Sequence, residues 1–325
     1  MRTTLAAALI GLLPTAAWAG VDEAVEAHIL PGFAQFAEAS AALAASAQAA
    51  CTGSDLEAAY HAAFDAWLGV SHIVFGPIED QGLTLSFAYW PDPRNQTGRT
   101  LGRLIADEDP VARDPEAYAG VSVAAQGFFA LERMLYEPND NADYACALTR
   151  TIAATLSANA ASVNAAWADF AEMVQSAGAE GNSRFTTQED AERAMFTALS
   201  TGLEFIHDQR LARPLGTFDR PRPNRAEARR SGRSLRNVEV ALLALRDLSR
   251  AFSDTETPRL ETAYDKALGR IDQIDAGDFS GVDTPIGRLR VEALQVDVKE
   301  VQIETMNEIG AVKGLSAGFN ALDGD

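Results

Sequence analysis

From about Val21 to Ala311 the apolar residues of this chain return every three or four positions, and strand-like alternation is nearly absent. That pattern sets aside sheet-based folds and predicts an all-α protein. Prolines, glycines and cap residues cut it into long pieces. A first helix is predicted over about 21–50, bent near Pro31-Gly32, because proline brings no backbone donor. Ser54-Asp55-Leu56-Glu57 reads as a capping box opening a second helix that runs to about Val74, and Gly76-Pro77 ends it. The stretch from Gly76 to Gln96 is long, aromatic and proline-rich; such a loop either carries function or packs on its own aromatics. Further helices are predicted over about 97–107, 122–136, 141–176, 187–212, 234–252, 258–274 and 285–311. Thr257-Pro258 and Thr284-Pro285 each read as an N-cap followed by proline at the first helical position. Two packed helical-bundle halves joined by long loops are the expected architecture. The polar break from Gly178 to Ser183 is the candidate boundary, giving an N-terminal half over 20–178 and a C-terminal bundle over 184–325. Gly127-Phe128-Phe129-Ala130-Leu131-Glu132 finds only a faint echo in Thr201-Gly202-Leu203-Glu204-Phe205, too weak for a tandem repeat.

The first nineteen residues have the three parts of a secretory signal. Arg2 supplies the positive start, Leu5 to Leu13 the short apolar core, and Ala17-Trp18-Ala19 the cleavage site before Gly20. The apolar run is too short to anchor the chain across a bilayer. In an oxidising compartment Cys51 and Cys146, 95 positions apart, are expected to pair, the alternative being two small buried thiols. The formal net charge is −19, and removal of Arg2 with the leader makes it −20. A chain this acidic is a poor partner for nucleic acid or anionic membrane surfaces and a better one for cations or cationic proteins of the envelope.

Several blocks, in order, resemble the imelysin family. They are the segment around Trp67 with its Phe75-Gly76-Pro77 turn, Tyr89-Trp90-Pro91-Asp92 with Thr97-Gly98-Arg99, Gly127 to Leu135, and the ending Gly318 to Asp325. The third block is similar to the family signature Gly-x-His-x-x-Glu, with Phe129 in the histidine position. The resemblance implies an all-α periplasmic or envelope protein of two helical halves, linked to bacterial iron uptake or to metallopeptidase activity. Only Gly127 and Glu132 carry over from the signature. A histidine and a glutamate three residues apart share one helix face and can grip one ion, whereas phenylalanine has no lone pair to give.

The rest of the chain offers little to a zinc hydrolase. Its four histidines, His28, His61, His72 and His207, form no pair at helical ligand spacing, and no nucleophile elbow, phosphate loop or dinucleotide fingerprint occurs. No catalytic residue is assigned. Glu132 with His72 and Glu79 is the candidate metal set, for iron, copper or zinc. His72 reads first as satisfying a helix C-terminus or a core hydrogen bond, and Glu132 can equally be a buried carboxylate paired with an arginine such as Arg99 or Arg103. Glu132, Gly127, Arg133, Trp90 and Arg99 are the candidate ligand-binding residues. Arg210 to Arg236 holds nine arginines against Asp219 and Glu227. That island reads as a solvated loop and helix face pairing with acids elsewhere, with an anionic ligand or acidic partner as the functional alternative. The expected function is an exported, non-catalytic binding component for metal acquisition. A metallopeptidase with an altered ligand set, or an interaction module without a metal site, is the rival.

Overall fold

The computed structural model describes residues 20–315; the leader over 1–19 and the family-like ending at 318–325 lie outside them. The described residues fold into helices with no strand, apart from an isolated bridge between Thr217 and Arg220. Helix α1 spans 21–49 and widens into a π stretch, Ala24–Ile29, before Leu30–Ala49. The disturbance expected at Pro31-Gly32 takes this form. Pro31 has no hydrogen to give the carbonyl four residues back, and its ring crowds that carbonyl, so the turn before it opens. Pro214 follows the same rule in α6, residues 188–215, where the π stretch Phe205–Leu211 precedes it.

Helix α2, Ser54–Val70, starts one residue earlier than its capping box requires and stops four residues short of Val74. Gly53, at φ 114°, is the cap, so Ser54 is already helical and its hydroxyl caps nothing. A capping box forms instead at α6. Thr187 Oγ1 accepts from the Asp190 amide at 3.2 Å, and Asp190 Oδ2 accepts from the Thr187 amide at 2.9 Å. Helices α3 (Gln96–Asp107), α4 (Gly127–Tyr136), α5 (Ala142–Gln175), α7 (Ser234–Phe252), α8 (Pro258–Ile271) and α9 (285–313) complete the set. Thr284 caps α9 through the Gly287 amide at 3.2 Å. Thr257 makes no such bond for α8. Glu308 of α9 takes the amides of Arg259 and Leu260 at 3.1 and 2.9 Å in its place, fastening the two helices end to end.

Helix α1 packs along α5 and α2, and α4 lies on α5; α6, α7, α8 and α9 pack together. Helix α7 also lies against α2 and the π stretch of α1, and that seam joins the two groups. The buried apolar cluster runs without a break through both, from Phe33, Phe36 and Trp167 to Phe196, Phe252 and Tyr264. Cys51 and Cys146 form a disulfide that ties the turn before α2 to α5. By closing a loop of 95 residues it restricts the unfolded chain. The segment after Gly76 holds two short helical turns, Pro77–Asp80 and Thr84–Phe87, and is anchored as expected by aromatics. The Phe87 ring lies 5.0 Å from both Phe36 and Trp67. No described helix is long and apolar enough to cross a membrane.

Candidate functional site

Helix α4 begins later than the predicted residue 122 because of Gly127. Its φ is 68°, and a Cβ there would lie 2.1 Å from the Phe87 carbonyl oxygen and 2.4 Å from that of Ser86. Only glycine permits both the backbone angle and the approach. The contact presses the loop that carries Tyr89 and Trp90 against the start of α4. Phe128 then stacks on Phe64 at 4.4 Å, while Phe129 meets Phe64 edge-on at 5.7 Å and Trp90 face-on at 6.4 Å. Phe129 is therefore part of an aromatic wall.

One turn further, Glu132 is 1% exposed. Neither Arg99 nor Arg103 is its partner. The carboxylate reaches across to the 228–232 turn, where Oε1 accepts from the Ser231 amide at 3.0 Å and lies 2.9 Å from the Ser231 hydroxyl. Arg230 Nη1 stands 3.8 Å from Oε2. Burial pushes the Glu132 pKa up, and the Ser231 bonds and Arg230 oppose that push. Arg230 and Arg133 also share Glu137, and Arg133 holds Asn95.

These residues line a cleft of about 330 Å³ beneath the 89–97 loop. Trp90 and Phe129 form its apolar wall, Glu132 its floor, and Arg133, Arg213, Arg225 and Arg230 its charged rim. Of the residues expected to bind a ligand, Glu132, Arg133 and Trp90 line the cleft and Gly127 shapes it from behind; Arg99 is not on its lining. The metal set is not assembled. His72 lies with its Nε2 2.9 Å from Nε2 of His28, and Glu79 pairs with Arg184 at 3.2 Å. Among the described residues no three His, Cys, Asp or Glu side chains converge on a metal position.

The arginine island is only in part the solvated face it resembles in sequence: Arg220, Arg225 and Arg236 are exposed, while Arg210 and Arg233 are buried. Arg233, 3% exposed, donates to His61 Nδ1 at 2.9 Å, to Asp65, and to Asn237 Oδ1 at 2.8 Å, and its guanidinium sits 4.6 Å over Phe64. Because arginine only donates, His61 Nδ1 must accept, which leaves the proton on Nε2 for the Tyr136 hydroxyl at 3.0 Å. Asn237 continues to Glu227 Oε2 at 2.9 Å, which also takes Arg210 Nε at 2.7 Å. Interior acids and amides drew these arginines inward, and Arg213, Arg225 and Arg230 follow onto the cleft. Ser231, Arg213 and Arg225 belong to the site although no motif marks them. The only signal in the sequence was so much arginine beside so few acids in a chain otherwise rich in them.

His28 and His72 share one proton between facing nitrogens at the seam. Burial lowers the His28 pKa to about 4, and burial, then His28, then Arg210 hold His72 well below its ordinary value. A histidine depressed on folding favours the folded state above its unfolded pKa and loses that contribution as pH falls toward the folded value. Acidification from pH 7 to 4.5 should therefore cost about 2–3 kcal/mol through His28 alone. Denaturant midpoints at the two pH values should show a loss in the wild type that exceeds the loss in His28→Gln by about this amount, since His72 stays buried in both. An equal loss in both would remove His28 as its source.

The fold and the site together define an all-α, two-bundle protein with a cleft beneath an aromatic loop. The imelysin peptidase family matches residues 29–305, and the chain belongs to that family. Two solved structures are similar to it. An imelysin-like protein from Psychrobacter arcticum shares 18% identity at a TM-score of 0.78, over 92% of this chain and 96% of its own. A candidate iron-regulated protein A precursor from Parabacteroides distasonis shares 15% identity at a TM-score of 0.70, over 93% of this chain and 98% of its own. At these identities the likeness concerns the fold. Among curated proteins no match was found.

Proposed function

We propose that this protein is an exported, non-catalytic binding component of iron acquisition in the bacterial envelope, with its ligand site in the cleft above Glu132. The carrying observation is that the signature helix presents Phe129 and a carboxylate tied to Ser231 and Arg230. A bare ion there would find one engaged carboxylate and no imidazole, too few ligands for a firm site. The four rim arginines favour iron presented as an anionic complex. Membership of the imelysin family and the iron-regulated neighbour support the setting. The secretory pattern of residues 1–19 supports export.

Elemental analysis after dialysis tests this reading. Iron, copper and zinc salts should leave well under one equivalent bound, and ferric citrate should leave about one equivalent of iron per chain. Stoichiometric uptake of a bare ion, lost in Glu132→Ala, would overturn it. Proteolysis of a generic substrate that a chelator abolishes would restore the peptidase reading.

A further inference from the structure

Two rim arginines have no counter-charge among the described residues. Arg213 spends Nη1 on the Gln209 amide oxygen at 3.3 Å, and its buried Nε has no partner. The Arg225 side chain has no hydrogen bond or ion pair among the described residues. The two are near enough that Arg225, after burial, lowers the Arg213 pKa. On the same lining the Thr97 hydroxyl, in a residue 2% exposed, is also unpartnered among the described residues. The acids of the lining do not answer these groups. Asp92 spends both oxygens on the amides of Gln96 and Thr97 at 2.7 and 2.9 Å, and Glu132 is held by Ser231. A buried donor without an acceptor is costly, and two like charges on one cleft lining repel. An anion entering the cleft relieves both.

The aromatic wall beside Arg213 narrows the kind of anion. Trp90, with the Arg213 guanidinium 5.8 Å from its ring centre and Phe129 stacked beyond it, offers carbon surface that an inorganic ion cannot use. At about 330 Å³ the cleft lies at the small end of ligand sites, which run from ~300 to ~1,000 Å³. We propose that the cleft binds a small organic anion with two or more carboxylates. Arg213 and Arg225 receive one carboxylate through their planar forks, Thr97 Oγ1 donates to the same end, and the carbon skeleton lies on Trp90 and Phe129. The inference rests on the cleft being the binding site and supplies the chemistry of what it holds: in an iron complex, the carboxylates at its edge.

Calorimetry with metal-free citrate tests it, with phosphate and sulfate as comparison ligands at constant ionic strength. Citrate should bind with a dissociation constant below about 1 mM, and Arg213→Gln and Arg225→Gln should each weaken it about tenfold or more. Arg225 is exposed, so its variant leaves the core untouched. Arg193→Gln, which breaks only an exposed pair with Glu189, should change nothing. Absence of citrate binding, phosphate or sulfate binding as tight as citrate, or unchanged affinity in Arg225→Gln would each overturn the proposal. The functional reading fails separately. Iron retained from another chelate without citrate binding refutes the carboxylate site alone, and citrate binding without iron retention refutes the iron role alone.

Discussion

Gly127→Ala is expected to lower stability by at least about 4 kcal/mol, among the largest effects of any single substitution. The added methyl would stand 2.1 Å from one backbone oxygen and 2.4 Å from another, and backbone cannot step aside as a side-chain tip can. Thermal unfolding should show a midpoint lower by roughly 10 °C or more, or no folded protein at all. Gly53→Ala is the control. Its φ of 114° is also strained for alanine, yet nothing lies within 4 Å, so its loss should stay near 1–3 kcal/mol. Equal losses at the two sites would mean that the contact with the 86–87 backbone is not what Gly127 serves. The signature glycine would then no longer explain how the Trp90 loop is seated.

Glu227→Ala should cost about 3–5 kcal/mol, because it strands a buried charge rather than removing a surface pair. Glu227 is 4% and Arg210 5% exposed, and Asn237 depends on the same carboxylate oxygen. The double substitution Arg210→Met with Glu227→Leu should recover much of the loss, since apolar replacement of a buried pair is often close to neutral. Chemical denaturation of Glu227→Ala, Arg210→Met and the double variant checks this. Additive losses in the double variant would show that the two residues act apart. The effect bears on function because the 216–233 segment delivers Arg225, Arg230 and Ser231 to the cleft, and this network fastens that segment to α7 and α2.

The helices were legible because their signals are local. The apolar period, the proline at position 258 and the Thr284 cap each act within a turn or two, and α7 has the expected bounds. Where local signals competed, the neighbour won: Gly53 displaced the Ser54 box. Where a local signal met a tertiary one, it lost: Glu308 took the role expected of Thr257. Half of the site was legible for the same reason: Trp90 sits in one recognisable block and Gly127, Glu132 and Arg133 in another. The other half comes from 99 positions away, where the Ser231 amide meets Glu132. Nothing in the spacing of the chain announces that meeting. His72 was weighed as a metal ligand near Glu132 and Glu79 or as the maker of a helix-end or core hydrogen bond, and its ring nitrogen faces His28, brought there by the packing of α1 on α2.

The central claim is that ligand enters the cleft between the 89–97 loop and the arginine segment. Hydrogen–deuterium exchange with and without saturating ferric citrate tests it by location. Protection concentrated in residues 89–97 and 213–231 is the predicted result. Protection centred instead on the groove between α1, α2 and α7, around His28 and Asp247, would contradict it, as would no protection anywhere.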